Sequence, residues 1–126
     1  MSAAQTIIER IHQIMLLCEI EKVLEATVLS GHNCLHTAVD RVFVSDILSD
    51  VMAKADKGAL WVTNQANINV VAITFFKGLA GVILPNHLQL DRDALVKAIE
   101  KEIPVFSSSM SAFNVVGELF KMGLKG

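Results

Sequence analysis

The first helical pattern of the chain lies near its N-terminus. Ile7, Ile11, Ile14 and Cys18 recur at intervals of three or four residues, which predicts a helix over residues 4–25. Further apolar residues lie around the rest of this helix: Ile8, Leu16, Leu17 and Ile20. A helix that is apolar on more than one face is usually buried on more than one face, so we expect it to pack on a second subunit in a homodimer.

Short apolar runs and helical patterns follow one another along the rest of the chain. Strands are predicted at 27–29, 41–44, 59–63, 81–84 and 104–106. Helices are predicted at about 45–55, 70–79, 91–102 and 112–123. Expected helix caps are Ser45 or Asp46, then Asp91 and Ser111. In the helix at 91–102, we expect Leu95, Val96 and Ile99 to share one face.

This alternation predicts the fold class. The strands of the second half are wholly apolar, which is typical of strands that are covered on both faces. Strands that alternate with helices form parallel sheets through right-handed crossovers. The sequence therefore predicts a three-layer α/β/α domain with a mainly parallel sheet and no internal linker.

Polar residues follow the strands of this predicted sheet. In open α/β sheets, ligands bind beyond the carboxyl ends of the strands, where helix N-termini offer free N–H groups. The candidate ligand-binding residues at these ends are Ser45, Asp46, Thr63, Asn64, Gln65, Asn86, His87, Ser107 and Ser108. Such a set suits a polar or anionic small molecule. The alternative is that these residues only cap helices.

The stretch FVSDILSDVM contains two Ser-Asp pairs at a junction between a strand and a helix. We expect Ser45 and Asp46 to lie beside 63–65 and near 107–108, because the carboxyl ends of parallel strands point the same way. Asp46 and Asp50 could also chelate Mg²⁺, but the sequence has no adjacent phosphate-binding loop.

Metal binding and catalysis have weaker support. His32, Cys34 and His36 would face one side of an extended segment, and all three are zinc ligands, but their spacing is not that of a zinc finger. The sequence contains no G-x-S-x-G, no G-x-x-x-x-G-K-[ST] and no G-x-G-x-x-G after a strand. We therefore predict no metal, no cofactor and no enzymatic activity. An enzyme that uses Asp46 or His87 as acid or base is the alternative.

Composition narrows the range of partners. The 126 residues carry a net charge of −2 and a pI near 6.0, so no basic excess is available for nucleic acid or for a membrane surface. The mean hydropathy is +0.49, but no apolar run reaches the roughly 18 residues that span a bilayer. Two cysteines and no basic N-terminal leader predict a reducing, cytoplasmic location.

Several segments together resemble a known family. FVSDILSDVM, GALWVTNQANINVVAI, GLAGVIL and EIPVFSSSMSAFNVVGEL resemble the DRTGG domain in order and spacing, over about residues 15–126. Residues 1–14 are then predicted to be an N-terminal extension. The name-giving motif is altered here. Asn64-Gln65 stands near the expected Asp-Arg, 85–87 stands where Thr-Gly-Gly is usual, and 111–112 replaces an Asp-Thr pair.

The resemblance implies a fold like the N-terminal domain of HPr kinase/phosphorylase and no established catalysis. Family domains lie beside CBS domains in regulatory pyrophosphatases, and the most similar stand-alone members are encoded near iron hydrogenases. We therefore predict a non-catalytic regulatory or small-ligand-binding domain that is linked to hydrogenase or carbon metabolism. A structural module that binds an unknown protein partner is the second hypothesis.

Overall fold

The structure is a computed structural model that describes Ala3 and residues 14–126. Within this part of the chain, seven strands and five α-helices follow one another. The strands are β1 (Met15–Leu16), β2 (Thr27–Ser30), β3 (Ala38–Val39), β4 (Val42–Val44), β5 (Leu60–Val62), β6 (Gly81–Leu84) and β7 (Val105–Ser107). The helices are α1 (Leu17–Val23), α2 (Leu48–Lys54), α3 (Ile68–Lys77), α4 (Arg92–Glu100) and α5 (Ala112–Lys121), with a 3₁₀ turn at His32–Cys34.

Five of the strands form the main sheet, in the order β2-β7-β6-β5-β4. β4, β5, β6 and β7 are parallel, and only β2 runs antiparallel to its neighbour β7. β1 and β3 form a separate two-stranded antiparallel ladder. The mainly parallel sheet that the sequence predicts is therefore confirmed.

Helices cover both faces of the sheet. Trp61, Val82 and Val105 point to one face, where they pack in a core with α2, α3 and α4. Val62 and Phe106 point to the other face and pack with α1 and α5. Side chains of a strand alternate between faces, so each wholly apolar strand supplies both cores. The three-layer α/β/α prediction is confirmed. No helix in the described part of the chain is both long enough and apolar enough to cross a bilayer.

The predicted helix over 4–25 is confirmed at Leu17–Val23 and is wrong at 15–16, which form a strand. Residues 4–13 lie outside the described residues, 15–16 are a strand, and the helix occupies Leu17–Val23. Backbone hydrogen bonds from Leu17 and Cys18 to the carbonyls of Thr37 and Leu35 hold the start of α1 to that segment. Leu17 and Ile20 are fully buried in the chain's own core. Their apolar character is thus explained without a second subunit, and the expected dimer contact remains a prediction.

The face of α4 that carries the large apolar residues is not its fully buried face. Ala94 and Ala98 are fully buried, whereas Val96 and Ile99 are 52% and 57% exposed. α4 packs closely beside α3 and against the sheet, and the methyl groups of alanine permit this short distance. Val96 and Ile99 therefore lie on the outer side of the helix, whereas Leu95 packs partly against the core.

The helix caps divide into confirmed and corrected predictions. Ser111 caps α5, since its hydroxyl accepts a hydrogen bond from the Asn114 N–H at 3.2 Å. Asp91 occupies the N-cap position of α4, but its side chain makes no capping bond. α2 begins later than predicted, after Ile47, which has no side-chain cap, so neither Ser45 nor Asp46 caps this helix.

Candidate functional site

Asp46 joins the two loops that follow β4 and β5. One carboxylate oxygen accepts hydrogen bonds from the Thr63 hydroxyl at 2.9 Å and from the Asn64 backbone N–H at 2.7 Å. The other oxygen accepts from Nδ2 of Asn64 at 3.1 Å. Nε2 of Gln65 reaches the Asp46 carbonyl at 3.4 Å. The predicted neighbourhood of Asp46 and 63–65 therefore exists, and its hydrogen bonds hold the loops to each other.

These contacts also act on the charge of Asp46. Partial burial raises the pKa of its carboxyl group, because burial disfavours the charged form. Hydrogen bonds from the Asn64 backbone, the Asn64 amide and the Thr63 hydroxyl favour the charged form and outweigh burial. The net result is a pKa below the ordinary value, so Asp46 is a carboxylate and an acceptor at neutral pH.

Ser45 shapes the backbone before Asp46. Its hydroxyl accepts from the Ile47 N–H at 3.0 Å and closes a local turn. Its carbonyl accepts from Nε1 of Trp61, which is fully buried, at 2.8 Å. A buried indole N–H needs such a partner. The sole tryptophan of the chain is therefore coupled directly to the loop that carries Asp46.

Ser107 and Ser108 lie at the same edge of the sheet, at the end of β7, and are buried. Ser107 donates to the Leu88 carbonyl at 2.7 Å and accepts from Gln89 Nε2 at 3.2 Å. Ser108 donates to the Leu24 carbonyl at 2.9 Å. β6 and β5 separate β7 from β4, a distance of about 14 Å at the usual strand spacing. These serines therefore brace other loops and do not border Asp46.

Asn86 and His87 form a left-handed turn after β6. Their φ angles are 58° and 59°, a region that favours glycine. The Asn86 N–H donates to the Met110 carbonyl and the His87 N–H to the Ser108 carbonyl, each at 2.8 Å. Both side chains are exposed. The turn ties the loop after β6 to the loop after β7 and presents an amide and an imidazole to solvent.

The candidate residues thus separate into two groups. Asp46, Thr63, Ser107 and Ser108 use their polar groups to join loops, and the Ser45 hydroxyl closes its own turn. Those that present polar groups to solvent are Asn64, Asn86 and His87, with Gln65 half-buried beside them. Sequence reasoning missed Gln89 and Trp61 as parts of this network, because a hydrogen bond to a distant loop has no local sequence signal.

The zinc-site hypothesis required an extended backbone over residues 32–36, and the structure does not have one. His32–Cys34 is a 3₁₀ turn, so its side chains do not alternate as in an extended strand. Over residues 14–126, no group of three or more His, Cys, Asp or Glu side chains is placed to hold a metal ion.

A second feature lies on the outer surface, between α3 and α4. A groove of about 550 Å³ is lined by Ile68, Asn69, Val71, Ala72, Phe75, Phe76, Lys97 and Lys101. Phe76 is 75% exposed, and the Lys101 ammonium lies 5.0 Å from the centre of the Phe75 ring. Adjacent residues of a helix point about 100° apart. Two consecutive phenylalanines in a predicted helix therefore indicate that at least one ring faces away from the core.

Comparison with protein families decides the classification. The model of the DRTGG domain matches residues 19–122, which is most of the chain. The chain belongs to the DRTGG domain family. Among curated proteins, none matches the sequence of this DRTGG domain.

A solved structure from Clostridium perfringens shares the fold of this DRTGG domain. It contains the CBS and DRTGG domains of the regulatory region of a pyrophosphatase, complexed with the activator diadenosine tetraphosphate. The TM-score is 0.72 at 13% sequence identity. The match covers 91% of this chain and 50% of the solved one, so the present chain spans half the length of that relative.

The left-handed turn after β6 has a backbone conformation that favours glycine. Asn86 and His87 are two of the four non-glycine residues with positive φ in the described part of the chain, with Glu25 and Glu102. Glycine adopts this conformation without a steric penalty. This DRTGG domain forms the turn with two non-glycine residues and thereby places an amide and an imidazole at the carboxyl edge of the sheet.

Proposed function

We propose that this DRTGG domain is a non-catalytic regulatory domain that binds a small polar ligand at the carboxyl edge of its sheet. The observation that carries the proposal is the set of hydrogen bonds that join neighbouring loops at this edge of the sheet. Asp46 joins the first two loops, and the N–H groups of Asn86 and His87 join the next two. A surface held in this way loses little conformational entropy when a ligand binds.

The chemistry of the edge favours binding over catalysis. The Asp46 carboxylate already accepts three hydrogen bonds. Its lowered pKa is far from neutrality, whereas an efficient general base has a pKa near the working pH. The groups that face solvent, on Asn64, Asn86 and His87, are hydrogen-bond donors and acceptors suited to recognising a polar molecule.

The proposed ligand class is a nucleotide or another phosphorylated metabolite. The solved relative is a regulatory region complexed with a dinucleotide activator, which supports a regulatory role and a nucleotide as the ligand. At the edge, the amides of Asn64 and Asn86 can bond to a base or ribose, and His87 can pair with a phosphate. A cytoplasmic role linked to hydrogenase or carbon metabolism belongs to the same proposal, on the strength of the family resemblance.

The experiment is a thermal-shift screen with nucleotides, dinucleoside polyphosphates and phosphometabolites, followed by titration of Trp61 fluorescence. A ligand at 100 times its Kd should add roughly 2.7 kcal/mol of stability. Asn86→Gly/His87→Gly keeps the turn and removes both side chains, so it should weaken binding. Asn33→Ala, at an exposed position on the 3₁₀ turn, is the control. A flat screen, or equal binding by both variants, would contradict the proposal.

The groove between α3 and α4 favours a second candidate function, a protein-interaction module. Its walls are apolar, and Lys97 and Lys101 supply two positive charges without an acidic residue in the lining. It extends along α3 from Ile68 to Phe76, about two helical turns. This length and charge suit an amphipathic helix of a partner protein with acidic residues beside its apolar face.

Selection from a library of helical peptides tests this candidate. The selected peptides should combine apolar residues at i, i+3, i+4 and i+7 with flanking Glu or Asp, and Lys97→Glu/Lys101→Glu should abolish their binding. Phe113→Ser, on the opposite layer, is the control. Selected peptides that are basic, or that bind the charge-reversed variant equally well, would exclude an acidic partner at this groove.

A further inference from the structure

The outer side of α5 carries an apolar stripe that residues 14–126 leave exposed. Phe113 is 85% exposed and Phe120 is 77% exposed, while Val115 and Leu119 on the inner side are buried. Gly117 follows Phe113 by four residues and precedes Phe120 by three, so all three lie on one face of the helix. The stripe is therefore two aromatic side chains with a gap between them.

The packing of the described residues leaves open space at Gly117. A Cβ built at this position meets no atom within 4 Å, and its φ is not positive. Glycine in the interior of a helix is unfavourable relative to alanine. Nothing in the packing of residues 14–126 therefore requires the small size of this unfavourable residue. A missing side chain on a helix surface permits close approach of another backbone.

The apolar surface continues from α5 to the edge of the sheet. Val116 and Phe120 line a shallow depression together with Val42 and Val44 of β4. β4 is the outermost strand on that side, and Val44 is 53% exposed. The C-terminal segment covers only the beginning of this edge, where the Val42 N–H donates to the Lys125 carbonyl. An exposed apolar sheet edge is normally blocked or paired.

The charges beside the stripe are balanced. Glu118 and Lys121 lie next to it and form an ion pair at 3.5 Å within the helix. In a dimer with two-fold symmetry, the same surface of each chain faces the other. A surface that carries one acid and one base can then place the acid of each chain near the base of the other.

We propose that a second copy of this chain covers the stripe, with the two α5 helices crossing in antiparallel orientation at Gly117. The gaps at the two Gly117 residues then meet, and Phe113 and Phe120 of each chain pack beside the crossing. The interface is isologous, so the same residues act on both sides and the assembly closes as a dimer. Aromatic side chains at such a centre are the usual anchors of an interface.

Sedimentation velocity of the full chain over a range of concentrations tests this dimer. The wild type should sediment as a dimer, and Phe120→Ser should raise the dimer dissociation constant at least about tenfold. Phe76→Ser is the matched control, since this phenylalanine is 75% exposed but lies on α3, and it should leave the dimer intact. A wild-type chain that is monomeric throughout, or a dimer unaffected by Phe120→Ser, overturns the proposal.

Gly117→Ala should have opposite effects on the stability of the monomer and on the affinity of the dimer, which distinguishes an interface role from a role in folding. In the monomer the added methyl group has open space and improves helix propensity, so the melting temperature of the Phe120→Ser background should rise. In the dimer the same methyl group separates the crossing helices, so the dissociation constant should rise. Gly117→Leu should enlarge the second effect. A Gly117→Ala chain that dimerises as tightly as the wild type overturns the crossing at Gly117.

Discussion

Asp46 and Asn64 are joined by two hydrogen bonds, one to the backbone N–H at 2.7 Å and one to the side-chain amide at 3.1 Å. The two residues belong to different loops, so this contact fixes the loop after β4 against the loop after β5. Asp46 lies at a helix junction where a capping role was expected. It stabilises the tertiary arrangement of the edge instead of the start of α2.

Asp46→Ala should therefore lower the free energy of unfolding by about 1–3 kcal/mol, because it leaves the Thr63 hydroxyl and the Asn64 N–H without their acceptor. Urea unfolding followed by Trp61 fluorescence measures this loss. Glu100→Ala removes a carboxylate whose one ion pair, with Lys97 at 3.6 Å, is exposed, and should change stability by less than about 0.5 kcal/mol. Equal effects of the two variants would contradict the role given to Asp46.

The same contacts predict a dependence of stability on pH. The pKa of Asp46 is lower in the folded chain than in the unfolded one. Its stabilising contribution is therefore present above the unfolded pKa and is lost as the pH falls through the folded pKa. Below about pH 4, the wild type should lose more stability than Asp46→Asn, which has no proton to bind. Parallel pH profiles of the two proteins between about pH 2 and 6 would contradict this prediction.

The fold could be predicted from the sequence because the wholly apolar runs, such as Leu60–Val62 and Gly81–Leu84, indicate strands buried on both faces. The order of the strands could not be predicted, because no sequence pattern marks β2 as an antiparallel edge strand. The large residues Val96 and Ile99 suggested the wrong face of α4, because periodicity cannot show how closely a helix approaches its neighbour.

The site was predictable only in outline. Topology places Asp46 beside Thr63 and Asn64 once β4 and β5 are adjacent and parallel. Whether a carboxylate caps its own helix or accepts N–H groups from another loop depends on backbone angles that the residue types do not specify. Ser107 lies at the same edge, but its strand β7 is three positions away from β4 in the sheet. It therefore forms its hydrogen bonds with residues of other loops.

Replacement of His87 by glycine should stabilise the protein. Its φ of 59° costs a residue with a Cβ roughly 1–2 kcal/mol, part of which the greater flexibility of glycine in the unfolded chain offsets. We expect a net gain of about 0.5–1 kcal/mol for His87→Gly and a smaller gain for Asn86→Gly, because asparagine tolerates this conformation better than most residues. Thermal and urea unfolding measure both changes.

His87→Ala is the matched control for this turn. Both replacements remove the imidazole, but alanine keeps the Cβ that makes a positive φ unfavourable. The expected order of stability is His87→Gly above the wild type, with His87→Ala no more stable than the wild type. If glycine and alanine shift the free energy of unfolding equally, the imidazole and not the backbone angle determines stability at this position.

Replacing Gly31 and Gly58 by alanine distinguishes the energetic cost of a positive φ from the cost of a steric clash. Their φ angles are 78° and 84°, so alanine meets a similar backbone penalty at both positions. A Cβ at Gly58 has no atom within 4 Å, whereas a Cβ at Gly31 would overlap the backbone of Ile103 and Pro104. That backbone cannot move freely, because it leads directly into β7, which pairs with β2.

Gly58→Ala should therefore cost about 1 kcal/mol, and Gly31→Ala about 2–4 kcal/mol. Urea unfolding of the two variants under identical conditions measures the difference. The additional loss at Gly31 reports how tightly the start of the 3₁₀ turn packs on the segment before β7. A Gly31→Ala chain that is as stable as Gly58→Ala would mean that this segment relaxes readily, and the close approach of Gly31 to Pro104 would then contribute nothing to the stability of the fold.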